Sequence, residues 1–349
     1  MVLRYNPERL PFAVKVEKRE DRMKIHIYLL LAACLTFAGL SGCSGSQTPV
    51  QKYGRLHVDH LQLVSQDGKP VQLRGVSSYN IAGFDWLFGP SQLKELVQTF
   101  HAQVLRLAMY TDPLAQGYMG NPGLQKVMDK LIADTKAAGI YCIVDWHILR
   151  DGNPNLYKDA AVKFFTDLAQ KYKDDPHLIF EICNEPNGTG VTWDGAIRPY
   201  AVDVLAAIRK SDPTRVVLVG TPTWSQDIDI AAKHPLDDPN VMYVFHWYAG
   251  SHGQPLRDKI DEARKTVPVF NSEWGATADS GTGEVFPAQT AVWLKFLDDR
   301  NISSCNWSFG NVNEGSASLI VSYNSDAPFK NQLTPSGKIV FDYLTAPRD

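Results

Sequence analysis

From residue 53 onward the chain alternates short apolar runs with amphipathic stretches at helical spacing. Two short runs at 55–58 and 61–64, followed by the turn Gln66-Asp67-Gly68-Lys69-Pro70, predict a β-hairpin. Eight strand-like runs come next, at 71–78, 104–110, 141–148, 178–186, 216–221, 241–248, 268–275 and 304–310. Most are nearly continuous in Val, Ile, Leu and Phe, as expected of parallel strands buried on both faces. Between them, Leu124, Val127, Met128, Leu131 and Ile132 mark a helix ended by Ala138-Gly139. Val162, Phe165, Leu168 and Ala169 mark another, and Val202, Leu205, Ala206 and Ile208 a third, stopped by Ser211-Asp212-Pro213. Eight β/α units in about 290 residues predict an α/β fold, a (β/α)8 TIM barrel with a short N-terminal β-hairpin. A doubly wound sheet needs a Gly-rich phosphate loop, and no G-x-G-x-x-G follows the first run. No linker divides the region, so 53–349 reads as one domain.

The residues ahead of it follow a different grammar. Residues 1–22 are polar and mixed in charge; Met23 and Lys24 then precede an apolar run at 27–40, too short to span a bilayer comfortably. The run ends in Leu40-Ser41-Gly42-Cys43, which looks like a bacterial lipobox with Cys43 as the acylated mature N-terminus. The expected division is an upstream segment and signal at 1–42, a tether at 43–52, and the barrel. An ordinary cleaved signal is the alternative, and translation from Met23 would remove the first 22 residues. Either way the chain is expected to be exported. Cys34 leaves with the signal, and Cys142, Cys183 and Cys305 sit in separate apolar runs, so they read as small core residues without a disulfide.

Charge narrows the partners. Thirty-five Lys and Arg against 38 Asp and Glu give a net charge of −3, which argues against nucleic acid as a partner. The chemistry is instead expected at the C-terminal ends of the barrel strands, where such folds place their sites. There the sequence offers Arg106 to Tyr110, Asp145-Trp146-His147, Asn184-Glu185-Pro186, His246-Trp247-Tyr248, Asn271-Ser272-Glu273-Trp274-Gly275 and Asn306-Trp307. Two glutamates facing each other across a pocket suit glycoside hydrolysis, one protonated to release the leaving oxygen and one ionised to attack. Glu185 is expected as acid/base and Glu273 as nucleophile, with Arg106 and Tyr248 placed to keep Glu273 ionised. Arg106 also has a plainer reading, as a core ion-pair member. Asp145 points to the same side as His147 two residues on, and a hydrogen-bonding role inside the barrel is at least as good a reading for it as a catalytic one. Asp279, Glu314 and Asp326 read as solvated loop charges. Metal catalysis is disfavoured because His147, with Asp145 beside it, and His246 come from different strands and no His-x-His pair follows the first run. No metal and no cofactor are expected.

The aromatic residues point to sugar. Trp146, Trp247, Trp274 and Trp307 lie at run ends, Trp86, Trp193 and Trp224 in the loops after runs one, four and five, and only Trp293 in a helix. Seven of the 8 tryptophans are thus expected on the active face, two or three of them as core plugs, with the remainder free to stack on pyranose rings.

Taken together, Arg106-Leu107-Ala108-Met109-Tyr110, Ile143 to Leu149, Phe180-Glu181-Ile182-Cys183-Asn184-Glu185-Pro186-Asn187-Gly188, His246-Trp247-Tyr248 and Asn271 to Gly275 resemble glycoside hydrolase family 5, in its branch of secreted bacterial endo-β-1,4-glucanases. The resemblance runs from Tyr53 to about Leu344. It implies a retaining mechanism through a covalent glycosyl-enzyme, with the two carboxyls about 5–5.5 Å apart. It also implies that Asn184 contacts the sugar 2-hydroxyl, that Arg106 and Tyr248 orient the nucleophile, that His147 and His246 line the −1 subsite, and that Trp307 stacks there. Tyr79, Tyr110, Trp224 and Trp274 complete the candidate substrate-binding set. Three positions depart from the family pattern. Tyr79 stands where many relatives carry His, Gly83-Phe84 where they carry a Trp, and 310–314, ending in Glu314, where they carry a Lys. The glycone subsites are therefore expected to differ, leaving cellulose, mixed-linkage glucan, xyloglucan and mannan open. A β-mannanase or other β-glycanase is the alternative within the family, and a non-catalytic carbohydrate-binding lipoprotein the alternative outside it. The expected partner is a β-glucan polysaccharide or oligosaccharide, with membrane contact only through the lipid anchor and the chain a monomer.

Overall fold

The computed structural model describes residues 47–347. The signal-like run at 27–40, the lipobox at 40–43 and Cys43 itself lie outside the described residues. Residues 49–52, expected as tether, belong instead to a one-turn helix, Pro49–Tyr53, held by a reciprocal Thr48/Gln51 capping box. Val50 and Tyr53 pack against apolar side chains of the barrel floor, which accounts for the order there.

The hairpin consists of β1 (His57–Asp59) and β2 (Gln62–Val64), antiparallel with His57 opposite Val64. Eight parallel strands then close a barrel: β3 (Arg74–Ser78), β4 (Val104–Tyr110), β5 (Tyr141–His147), β6 (Leu178–Glu181), β7 (Val217–Val219), β8 (Val241–Tyr248), β9 (Val269–Gly275) and β10 (Ser304–Phe309), which pairs back onto β3. Each is followed by a helix on the outside: α1 (Pro90–Gln98), α2 (Leu124–Ala138), α3 (Lys158–Tyr172), α4 (Arg198–Arg209), α5 (Ile228–Lys233), α6 (Gln254–Ala263), α7 (Pro287–Asp298) and α8 (Pro335–Thr345). The predicted (β/α)8 barrel with its hairpin is the observed fold. β6 is shorter than the apolar run 178–186 suggested; beyond Glu181 separate backbone bonds, such as Ile182 N–H to Leu218 O and Asn184 N–H to Trp146 O, still tie the chain to its neighbours before Pro186, which has no N–H to donate.

Two apolar layers follow from the period of two along each strand. Leu105, Leu107 and Met109 on β4, or Cys142, Val144 and Trp146 on β5, face the helices. Val104 on β4, Tyr141 and Ile143 on β5, Ile179 on β6, Val244 on β8 and Phe270 on β9 fill the lower barrel, closed from below by Leu56 and Leu63 of the hairpin region. Gly75 sits where β3 approaches β4 most closely; a Cβ there would stand 1.9 Å from the Val104 carbonyl oxygen. Cys142, Cys183 and Cys305 are buried free thiols.

Candidate active site

Above the apolar floor the inward side chains become charged. Arg106, midway along β4, is completely buried. Its Nε and Nη2 donate to the two oxygens of Glu181 at 2.8 and 3.0 Å, and Nη1 donates to Glu273 Oε2 at 3.1 Å. Asp145 Oδ2 lies 3.0 Å from Nη2. Burial works against its charge, but Asp145, Glu181 and Glu273 together hold the guanidinium pKa well above its ordinary value. Burial in turn raises Asp145 to about 7, against the pull of Arg106, and raises Glu181 as well. Arg106 is thus both a core ion-pair member and a direct contact of Glu273. Asp145 takes the hydrogen-bonding role: its Oδ2 is 2.7 Å from His147 Nδ1.

Glu273 reaches the interior through a backbone irregularity. Val244 of β8 is opposite Phe270 of β9, yet His246 is opposite Glu273, so β9 carries one extra residue in this stretch. Phe270 faces in and Trp274 faces out, although regular alternation would put them on one side. The β-bulge lets the consecutive side chains Ser272 and Glu273 both face inward. Asn271 clamps it, its amide donating to the carbonyls of Phe245 and Glu273 at 2.8 Å each. Glu273 then accepts from Tyr248 Oη at 2.6 Å in addition to Arg106.

Glu185 has the opposite surroundings. It lies in the segment after β6, its carboxylate meets no Arg or Lys among the described residues, and its charge-capable partner is His246 Nδ1 at 2.9 Å. Burial pushes its pKa up to about 8, with Arg106 opposing and Asp145 and Glu181 reinforcing. Glu185 is therefore suited to carry a proton at neutral pH, while Glu273 is held by two donors suited to an anion. Oxygen atoms of the two carboxyls and one His246 nitrogen all lie within 4.8 Å of one another. That triangle could hold a cation by distance alone. By chemistry it is a poor cation site, because Glu273 already accepts from Arg106 and Tyr248 and both His246 nitrogens are engaged.

These groups form the floor of a cleft of about 630 Å³. On one side Tyr110, His147 and Trp307 stack in sequence, with centroids 4.6 and 5.2 Å apart, and Tyr79 packs on Trp307 at 5.5 Å. Across the barrel axis, after β7, Trp224 presents a 47 % exposed ring to the same cleft. Thr223, Trp224 and Ser225 all hold positive φ, near 59°, 55° and 59°. Arg106 and Asn184 lie one layer below. Asn184 Oδ1 accepts from Arg106, and its amide donates to the Ile148 carbonyl at 3.1 Å and toward His147 Nε2 at 3.3 Å. Glu314, expected as a solvated charge, lines the cleft and accepts from Tyr79 Oη at 3.2 Å. Asp279 lines it too, whereas Asp326 does not.

The tryptophans need correction. Trp274, expected to bind substrate, is fully buried and stacked on Trp247 at 5.2 Å, which stacks on Trp293 of α7 at 4.8 Å. Trp146 and Trp193 are buried as well. The cause is alternation: Trp146 and Trp247 each adjoin an inward histidine, Trp274 adjoins inward Glu273, and all three turn to the helices. Trp86 is exposed but pairs with Tyr323 outside the cleft lining. Only Trp224 and Trp307 line the cleft. The run ends do not single out two further residues of the site, Glu181 and Ser272; Ser272 donates to Glu181 Oε1 at 2.8 Å. A carboxylate two positions beyond inward Ile179 was the available signal for the first; the second depends on the bulge.

Residues 64–313 match the family model described as cellulase, glycosyl hydrolase family 5. The chain is 43 % identical over 319 residues to Endoglucanase 5 of Pectobacterium carotovorum subsp. carotovorum, an alignment covering 91 % of this chain and 62 % of that relative's length. Among solved structures, the cellulase Cel5C_n superposes with a TM-score of 0.84 at 40 % identity, over 88 % of this chain and 96 % of that one. The catalytic domain of Thermobifida fusca endoglucanase Cel5A, in complex with cellotetraose, gives 0.81 at 34 % identity, over 86 % and 100 %.

Proposed function

The chain belongs to glycosyl hydrolase family 5, and from that premise we propose that it cleaves internal β-1,4-glucosidic bonds of cellulose or a related β-glucan with retention of configuration. The observation that carries this reading is the carboxyl pair: an oxygen of Glu185 and an oxygen of Glu273 lie within 4.8 Å of each other, with Glu185 beside His246 and Glu273 held by Arg106 and Tyr248. Inverting enzymes need about 6.5–9.5 Å between carboxyls to admit a water, whereas a retaining nucleophile works at about 5–5.5 Å. Glu185, protonated, donates to the departing glycosidic oxygen while Glu273 attacks the anomeric carbon and forms the glycosyl-enzyme. Glu185, now ionised, takes a proton from water, which attacks the same carbon and frees Glu273. Arg106 and Tyr248 hold the Glu273 carboxylate in place by two hydrogen bonds.

Cleavage within a chain is supported by aromatic surfaces on both sides of the pair, Tyr79 and Trp307 on one and Trp224 on the other. The cellotetraose carried by the Thermobifida relative supports a β-1,4-glucan as the ligand class. Reducing sugar released from carboxymethylcellulose, barley β-glucan and mannan tests the substrate; faster release from mannan overturns the glucanase reading. An inverted anomer in the first product, seen by NMR, overturns the retaining one. We also infer, from the Leu40-Ser41-Gly42-Cys43 motif, export and lipid attachment at Cys43.

A further inference from the structure

The acid Glu185 stands at one end of a hydrogen-bond chain that has a direction. At the far end Arg106 donates to both oxygens of Glu181, so Glu181 serves as an acceptor in that fork. Ser272 Oγ lies 2.8 Å from Glu181 Oε1 and 3.0 Å from His246 Nε2. A hydroxyl has one proton. With that proton directed to Glu181, the Ser272 oxygen can only accept from the imidazole, so Nε2 carries the ring hydrogen. Burial, with a contribution from Arg106, lowers the His246 pKa to about 4, so the ring is neutral near pH 7 and Nδ1 is bare. Nδ1 faces Glu185 Oε1 at 2.9 Å. Two lone pairs at that distance repel, whereas a proton on Oε1 turns the contact into an O–H···N hydrogen bond.

We propose that Ser272, anchored by Glu181, is a positioning residue that fixes His246 as the Nε2–H tautomer and so keeps Glu185 in its acid form between turnovers. The inference rests on Glu185 being the acid/base. It assigns the resting proton to a particular oxygen, which burial alone does not do. The charged and titratable groups facing this chain are Arg106 from β4, Asp145 and His147 from β5, Glu181 from β6, Tyr248 from β8, Glu273 from β9 and Asp279 from the segment after it. All of them persist in a Ser272 variant, so no charged group is lost with the hydroxyl.

The sign follows directly. Ser272→Ala removes the acceptor for Nε2–H and frees the ring to take the Nδ1–H form. That form donates to an ionised Glu185 and favours loss of its proton. The alkaline limb of kcat/KM requires protonated Glu185, so in Ser272→Ala it moves down by about one pH unit. Ser272→Thr keeps a hydroxyl and restores the wild-type limb. An Ala variant that is active with an unmoved limb overturns the proposal. Nitrogen-15 NMR of the wild-type imidazole at about pH 6–7 reads the tautomer without substrate. A bare Nδ1 and protonated Nε2, assigned by the signals lost in His246→Gln, are expected; a protonated Nδ1 overturns the proposal even if Ser272→Ala does not fold. Failure of the wild type on every glycan overturns the proposed function and leaves the tautomer result standing.

Discussion

Arg106→Met removes the cation that bridges three buried carboxylates. In the wild type the guanidinium makes two hydrogen bonds to Glu181, one to Glu273 and one ion pair to Asp145 at 3.0 Å. Methionine fills part of the volume and supplies none of the charge. Breaking a buried ion pair from one side costs about 3–5 kcal/mol, because the surviving charges lose their compensation. Set against a typical stability of about 5–15 kcal/mol, that is a large fraction. For a domain of this size, about 2–4 °C per kcal/mol gives a fall in Tm of roughly 6–20 °C. The loss has a pH signature. Asp145 and Glu181 already have raised values in the presence of Arg106, and without it they rise further above their unfolded values. The folded variant then binds more protons than its unfolded chain, so its stability falls as pH rises. The deficit is therefore small near about pH 4.5, where these two carboxyls are protonated, and larger near about pH 8. Urea denaturation followed by tryptophan fluorescence at the two pH values measures both quantities. A variant within about 1 kcal/mol of wild type at the higher pH, or one whose deficit shrinks as pH rises, refutes the account of the charged layer.

Three further outcomes follow, two from the geometry and one from the sequence. With Glu185 raised to about 8, kcat/KM on a soluble β-glucan should hold through neutral pH and fall as pH rises through that value and the acid loses its proton; an alkaline limb near 5 contradicts the assignment. Trp224→Ala should raise KM for cello-oligosaccharides and leave Tm within about 2 °C, whereas Trp274→Ala, which empties a stacked core position, should lower stability by about 3–5 kcal/mol; thermal scans and kinetics on both variants separate the two roles. Cys43→Ser should prevent acylation, measured by loss of incorporated radiolabelled palmitate and release of the enzyme from the membrane fraction; continued lipid labelling rules out attachment at that residue.

The barrel was legible because eight apolar runs, each followed by a segment able to form a helix, leave little topological choice. The site was legible at the level of which residue types end those runs. It was not legible at the level of where each ring points, because run ends were taken as blocks. Alternation already separated His147 from Trp146 and His246 from Trp247, and applied throughout it would have moved three tryptophans to the outer layer. On β9 the same rule fails. Counting from Phe270 would send Glu273 outward and Trp274 inward, and only the register shift against β8 reverses this. A residue's partners in another strand are likewise invisible in one chain of letters. Glu314 is an ordinary acidic loop residue until Tyr79 is found 3.2 Å away.

The bulge in β9 also sets what can be transplanted. The five letters Asn271 to Gly275, grafted onto a regular strand of another barrel, would carry Glu273 to the wrong side of the wall and bury its carboxylate among helices. A one-residue deletion between Phe270 and Glu273 would restore regular alternation here with Glu273 still facing inward, but would lose the inward Ser272 beside it. What has to be inherited is a count as well as a composition: one surplus residue, and an asparagine whose amide ties off the carbonyls that the surplus displaces.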